Sequence, residues 1–301
     1  MSLRHLARRL LERFADQQPA TEISGSTTRH IKVGQRKRWY DLHISPTLDQ
    51  SKPSPLIIGL HGRNSAPGQF AYLSQLNRRG GGRGYVIAYP AAEGGVWNPA
   101  FGKENYDVIF VQAMIDEIQT ILPVDTDRIY AVGMSNGGQM AYRLACELSD
   151  RLAAIGVCVC GMNREECSPK NPVSVIHFQG TQDPLVPLAW GEYAISRWIR
   201  YNQCELEPVE TYKNGAARCV THTNPATKAE VTFCTIDGMG HQYPGLAIKL
   251  TENEANLLGL PPILAHLGPG TDDLDATGML LEFFARHVRR TSFQGDLAGD
   301  E

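Results

Sequence analysis

The sequence has no apolar run long enough to span a bilayer, which excludes a membrane-spanning helix. It has no excess of basic charge: 29 Lys and Arg stand against 32 Asp and Glu, for a net charge of -3. Nothing therefore points to a nucleic-acid surface. No internal repeat and no convincing linker interrupt its 301 residues, so a single domain is expected. Seven cysteines are present, an odd number that leaves at least one unpaired. Cys158-Val159-Cys160 lacks metal-site spacing and falls in an expected buried strand, so it reads as packing. Mostly reduced thiols are expected. The amino end also lacks the continuous apolar core of a secretory signal. Together these absences lead to the expectation of a cytoplasmic protein, with secretion by another route left open, no stable membrane insertion, and a homo-oligomer allowed. Residues 1–16 place Leu3, Leu6, Leu10 and Phe14 at roughly helical spacing among arginines, which predicts an amphipathic helix docked on the domain or on a second subunit.

What is present is a regular alternation of apolar runs and amphipathic stretches. Residues 30–33 and 39–44, joined by Gly34-Gln35-Arg36-Lys37, alternate in character and predict an antiparallel hairpin at a sheet edge. Leu56-Ile57-Ile58-Gly59-Leu60 is a continuous apolar run of the buried parallel-strand type. Further strands are expected at 85–90, 128–132, 153–159, 173–178 and 231–236, with extended pieces at 207–211 and 218–223. Helices are expected at 69–76, 106–122, 139–148, 191–201 and 276–290, and a basic glycine loop at 78–84. Strands alternating with helices imply an α/β fold, a mostly parallel central sheet with helices on both faces.

The chain is organised around Gly133-Met134-Ser135-Asn136-Gly137-Gly138, between a strand and a helix. A Gly-x-Ser-x-Gly in that context is the nucleophile-elbow pattern. The turn strains the serine backbone and requires bare backbone at Gly133 and Gly137, where strand and helix pass closely. A serine hydroxyl needs a base within hydrogen-bond reach and an acid to orient that base. Asp183, in Gly180-Thr181-Gln182-Asp183-Pro184 after the 173–178 strand, fits the acid. His241, in a glycine-rich loop after the 231–236 strand, fits the base. Of the other histidines, His177 reads as core, and His266 satisfies chain order but has no strand ahead of it. The oxyanion of acyl transfer needs two backbone donors, expected from Asn136 and Arg63. His61 is expected to brace the Arg63 loop.

These residues resemble an α/β-hydrolase family that includes polyhydroxybutyrate depolymerases, feruloyl esterases and acetylxylan esterases. The matches are Leu60-His61-Gly62, Trp97-Asn98, Asp107-Val108 and the 133–138 elbow. They continue through Gly180 to Pro187, Gly240-His241 with Pro244-Gly245, and Asp275-Ala276-Thr277 before Phe283 to His287. The resemblance implies the α/β-hydrolase fold and cleavage of a small-molecule or oligomeric carboxylic ester through an acyl-enzyme. It implies a triad of Ser135, Asp183 and His241, without metal or organic cofactor. Trp97, Met134, Gln242 and Tyr243 are placed as substrate contacts. The chain departs from the family pattern at Arg63, where a cysteine is usual, at Gln179, where histidine is usual, and at Gln242-Tyr243, where Thr-Trp is usual. Residues 246–275 are apolar for a loop and suit a lid or a cover. Two alternatives share the sequence features. One is an acyl transferase, thioesterase or peptidase acting on a small intracellular metabolite with the same triad, and the other is a non-catalytic binding module.

Overall fold

The computed structural model describes residues 26–100, 105–162, 167–245 and 267–289. The helix expected at 1–16, His266 and most of the 246–275 loop lie outside the described residues.

The apolar runs become one ten-stranded sheet. Its strands are β1 (Ser26–Val33), β2 (Arg36–His43), β3 (Ser54–Leu60), β4 (Val86–Pro90), β5 (Val124–Met134), β6 (Ala154–Cys158), β7 (Ser174–Gly180), β8 (Val209–Asn214), β9 (Ala217–Thr223) and β10 (Glu230–Ile236). The helices are α1 (Pro67–Ser74), α2 (Leu76–Gly81), α3 (Tyr106–Ile121), α4 (Asn136–Glu147), α5 (Leu188–Tyr201) and α6 (Ala276–Ala285). The spatial order is β1-β2-β4-β3-β5-β6-β7-β10-β9-β8. The six middle strands are parallel, and each edge carries two strands added antiparallel. The hairpin expected at one edge is β1–β2, closed by a turn in which Gly34 takes φ 57°. One expectation fails: the basic glycine stretch at 78–84 is helical in its first half, as the end of α2. Leu76 and Gly80 are buried there and dock that turn on the sheet, which overrides the low helix propensity of glycine.

Buried parallel strands have two apolar faces, and side chains alternate between them. Leu56, Ile58 and Leu60 of β3 share one core with Phe110, Met114, Ile118, Leu144 and Trp198 of α3, α4 and α5. Ile57 of the same strand points into a second core with Phe70, Leu76, Leu280 and Phe284 of α1, α2 and α6. Burial of Phe283 and Phe284 at 0% exposure contributes about 2–3 kcal/mol each to holding α6 on the sheet. Helix α3 begins where the Asn105 side chain accepts from the amides of Asp107 and Val108.

The strand order fixes where a site can form. From β3 the chain runs outward to β4, then returns through α3 to β5 on the other side of β3. The connections leaving β3 and β5 thus diverge, opening a crevice at their carboxyl ends.

The expectation of mostly reduced thiols is wrong. Cys146 is bonded to Cys167, and Cys219 to Cys234, leaving Cys158, Cys160 and Cys204 free and buried. Cys219 and Cys234 lie directly opposite in the β9–β10 ladder, a register that sequence spacing does not reveal. The packing role expected for Cys158 and Cys160 agrees with their burial, which pushes both thiols up and keeps them protonated.

Candidate active site

Ser135 stands at the crevice. It follows β5 and caps α4 with φ 55° and ψ -123°, a backbone conformation that a non-glycine residue holds only when its surroundings enforce it. The enforcing contacts are backbone on backbone. A Cβ on Gly133 would lie 2.2 Å from the Gly137 carbonyl oxygen, and one on Gly137 would lie 2.2 Å from the Leu60 carbonyl oxygen. Glycine at both positions lets the strand, the turn and the end of β3 interlock. The Ser135 amide is tied to the Cys158 carbonyl of the neighbouring strand at 2.9 Å.

The loop after β3 passes beside the serine. A Cβ on Gly62 would come within 3.9 Å of Ser135 Cβ, so the backbone at Gly62 passes beside the serine side chain. His61 braces this loop, as expected. Its Nδ1 donates to the Gly62 carbonyl at 2.8 Å, and its Nε2 accepts from the Ala92 amide at 3.1 Å. Burial lowers its pKa and favours the neutral ring that this pattern requires. Asn136 is the first residue of α4, so its backbone N–H has no intrahelical acceptor and faces out of the helix end.

His241 and Asp183 meet on the same end of the sheet. They follow β10 and β7, which run parallel to each other and to β5. His241 Nδ1 lies 2.7 Å from Asp183 Oδ2, and both side chains are almost fully buried. The other carboxylate oxygen, Oδ1, accepts from the amides of Leu185 and Val186 at 2.8 Å each. Oδ2 is left to accept from the histidine, which presents Nδ1–H to it. Nε2 is then left as an acceptor. The histidine loop is held by the Gly240 amide on the Pro269 carbonyl at 2.8 Å, and by the Gln182 amide on the Met239 carbonyl at 3.1 Å.

Several residues expected to touch substrate do not line an open surface. Trp97 is 1% exposed: its indole donates to the His61 carbonyl at 2.9 Å and its ring lies against His61. It supports the loop after β3 through His61. Tyr243 is 3% exposed and its hydroxyl bonds to Thr277 on α6 at 2.9 Å. Gln242 is buried, with its amide on the Gly268 carbonyl. An aromatic or polar residue beside a site looks the same in sequence whether it lines the cleft or anchors its wall. Met134 is half-buried. Sequence inspection also passed over the Asn136 side chain, which receives the Trp97 amide at 2.8 Å and donates back to the Trp97 carbonyl at 3.1 Å. It equally missed the buried Arg38–Asp107 pair, whose carboxylate holds the Asn98 amide at 2.9 Å. Asn98 and Asp107 stood out as motif residues, but Arg38 is distant in sequence.

The chain has the α/β-hydrolase fold. The solved structure of an acetyl xylan esterase from Aspergillus awamori superposes with a TM-score of 0.59 at 11% identity, covering 77% of this chain and 99% of that one. In sequence, the relatives are esterases by name. The putative esterase NocK of Nocardia uniformis subsp. tsuyamanensis is 29% identical, over 78% of this chain and 79% of that protein. A probable feruloyl esterase C of Aspergillus niger is 27% identical, over 70% of this chain and 79% of that protein. No family model matches. The expectation of a cytoplasmic protein is overturned. Fungal feruloyl esterases stand among the relatives, and two disulfides of the kind that persist in oxidising compartments are formed. Among the described residues no helix is long and apolar enough to cross a membrane, and no cluster of His, Cys, Asp and Glu is arranged to hold a metal ion.

Proposed function

We propose that this chain is a serine hydrolase that cleaves a carboxylic ester through an acyl-enzyme, with Ser135 as nucleophile, His241 as base and Asp183 as the group that orients it. The observation that carries this reading is the buried His241–Asp183 bond at 2.7 Å, on the same end of the parallel sheet as the strained Ser135 elbow. One sheet ties all ten strands together, and we take the chain as a single hydrolase domain.

In this reading His241 Nε2 takes the proton from Ser135 Oγ as the hydroxyl attacks the ester carbonyl. Asp183 keeps the imidazole in the required tautomer and stabilises the imidazolium. The amides of Asn136 and Arg63 receive the oxyanion, a contribution of about 3–4 kcal/mol per donor in well-organised sites. The alcohol leaves with the proton held on Nε2. Water then enters by the same route in reverse, activated by His241, and frees the acid. The substrate class follows the relatives' names: esters, with feruloyl and acetylxylan esters among them.

The experiment is hydrolysis of p-nitrophenyl esters from acetate to long acyl chains, and of methyl ferulate, with Ser135→Ala alongside. Turnover that vanishes in the variant while its melting temperature is kept supports the reading. Equal turnover in the variant would falsify the nucleophile assignment.

A further inference from the structure

Asp183 is held by more than its own loop. Gln179, on β7 and fully buried, places its side-chain nitrogen 2.8 Å from the Val186 carbonyl and 3.4 Å from Asp183 Oδ2. A backbone carbonyl can only accept, so the amide nitrogen must face Val186 and donate to it, with its second N–H toward Asp183 Oδ2. The amide oxygen then faces the other way and must accept. Its partner is His177 Nε2, at 3.3 Å. That assigns the ring proton to Nε2 and makes Nδ1 the acceptor of the Tyr142 hydroxyl, at 2.8 Å. Burial holds the His177 pKa down to about 4, so the ring is neutral, as this tautomer requires.

Every donor in the chain therefore points the same way. Tyr142 donates to His177, His177 to Gln179, and Gln179 to the carboxylate. Tyr142 is on α4, the helix that Ser135 caps, so the chain runs through the core from the nucleophile's helix to the acid's loop. Hydrogen bonds aligned in sequence polarise one another, and a fully satisfied buried network fixes one geometry.

We propose that Gln179 is a positioning residue for Asp183: the terminal donor of a one-way Tyr142–His177–Gln179 chain that sets the carboxylate orientation and through it the His241 ring. Gln179 bridges both ends of the 183–186 turn, since its one nitrogen reaches Asp183 and the Val186 carbonyl. Loss of the donor leaves Oδ1 held by the Leu185 and Val186 amides and Oδ2 held by His241 alone, so the carboxylate and the imidazole can turn together. This inference rests on the triad proposed above.

The test is Gln179→Glu, which keeps shape and volume but, with at most one proton, cannot donate to Asp183 and the Val186 carbonyl together, measured beside Ser135→Ala on p-nitrophenyl acetate. The expected result is a kcat lowered by ~10- to 100-fold with KM within about 2-fold, the size of loss that small misplacements of a catalytic group produce. The proton NMR resonance of His241 Nδ1–H, far downfield because of its bond to Asp183, should shift in the same variant. Unchanged kcat and an unmoved resonance in folded Gln179→Glu overturn the inference. If that variant does not fold, Tyr142→Phe decides by the same two readouts, since it removes only the first hydroxyl. A dead Ser135→Ala with fully active Gln179→Glu sinks this inference alone, whereas an active Ser135→Ala sinks the triad beneath it.

Discussion

Asn136 and Trp97 exchange two hydrogen bonds, the Trp97 amide donating to Asn136 Oδ1 at 2.8 Å and Asn136 Nδ2 donating to the Trp97 carbonyl at 3.1 Å. The residue whose backbone amide is proposed to hold the oxyanion is thereby clamped, by its side chain, to the loop that braces His61. Asn136→Ala keeps the backbone donor but leaves two buried Trp97 backbone groups unpaired, at a cost of about 1–3 kcal/mol each before relaxation. The expected outcome is a lower melting temperature together with a kcat loss of roughly tenfold, measured by thermal unfolding and p-nitrophenyl acetate turnover. A variant with wild-type kcat would separate the clamp from the oxyanion site.

How much of this was legible in the sequence differs from element to element. The continuous apolar run at 56–60 announced a buried parallel strand, because only a strand covered on both faces tolerates apolar residues at every position. The elbow was legible because its geometry admits so few residues: Gly133 and Gly137 have backbone atoms where a Cβ would go. Which loop side chains face outward was not legible. Trp97 and Tyr243 lie in loops that the motifs single out, yet both turn inward, and the direction of a loop side chain is set by neighbours that are remote in the chain. The Cys219–Cys234 bond depends on strand register, and the Cys146–Cys167 bond on how the segment after β6 returns to the end of α4; neither follows from spacing.

Arg38 and Asp107 form a buried ion pair at 2.8 Å, with side chains 4% and 9% exposed. Asp107→Ala leaves the guanidinium charge buried and takes the acceptor from the Asn98 amide. A loss of about 3–5 kcal/mol in unfolding free energy is expected, the usual penalty for removing one partner. Denaturant unfolding of Asp107→Ala, and of the double variant Arg38→Met with Asp107→Leu, tests this. The double variant should recover most of the loss.

Burial lowers the pKa of His177 from 6.5 to about 4. The folded state resists protonation that the unfolded state accepts, so the neutral ring's contribution is full above pH 6.5 and is lost as pH falls toward 4. A shift of this size corresponds to about 3 kcal/mol in total. Unfolding free energy measured at steps between pH 7 and pH 4 should fall across that window, and a folded His177→Gln should show a shallower slope. Equal slopes in the two proteins would mean that other groups set the acid limit.

Three thiols, Cys158, Cys160 and Cys204, remain free beside the two disulfides. Alkylation of the denatured, unreduced protein should add three labels by mass, and prior reduction should raise the number to seven. The Cys146–Cys167 bond closes a separation of 21 residues and restricts the unfolded chain by about 3 kcal/mol in the loop-entropy treatment. The Cys146→Ala, Cys167→Ala pair should therefore unfold at a lower temperature than the wild type.

The central claim, that Ser135 is a nucleophile driven by His241 and Asp183, is tested most directly by mass spectrometry after exposure to a fluorophosphonate. The account predicts one adduct per chain, located on the peptide carrying Ser135, absent in Ser135→Ala and formed far more slowly in His241→Ala. An adduct on any other residue, or labelling of Ser135 at the same rate without His241, would contradict it.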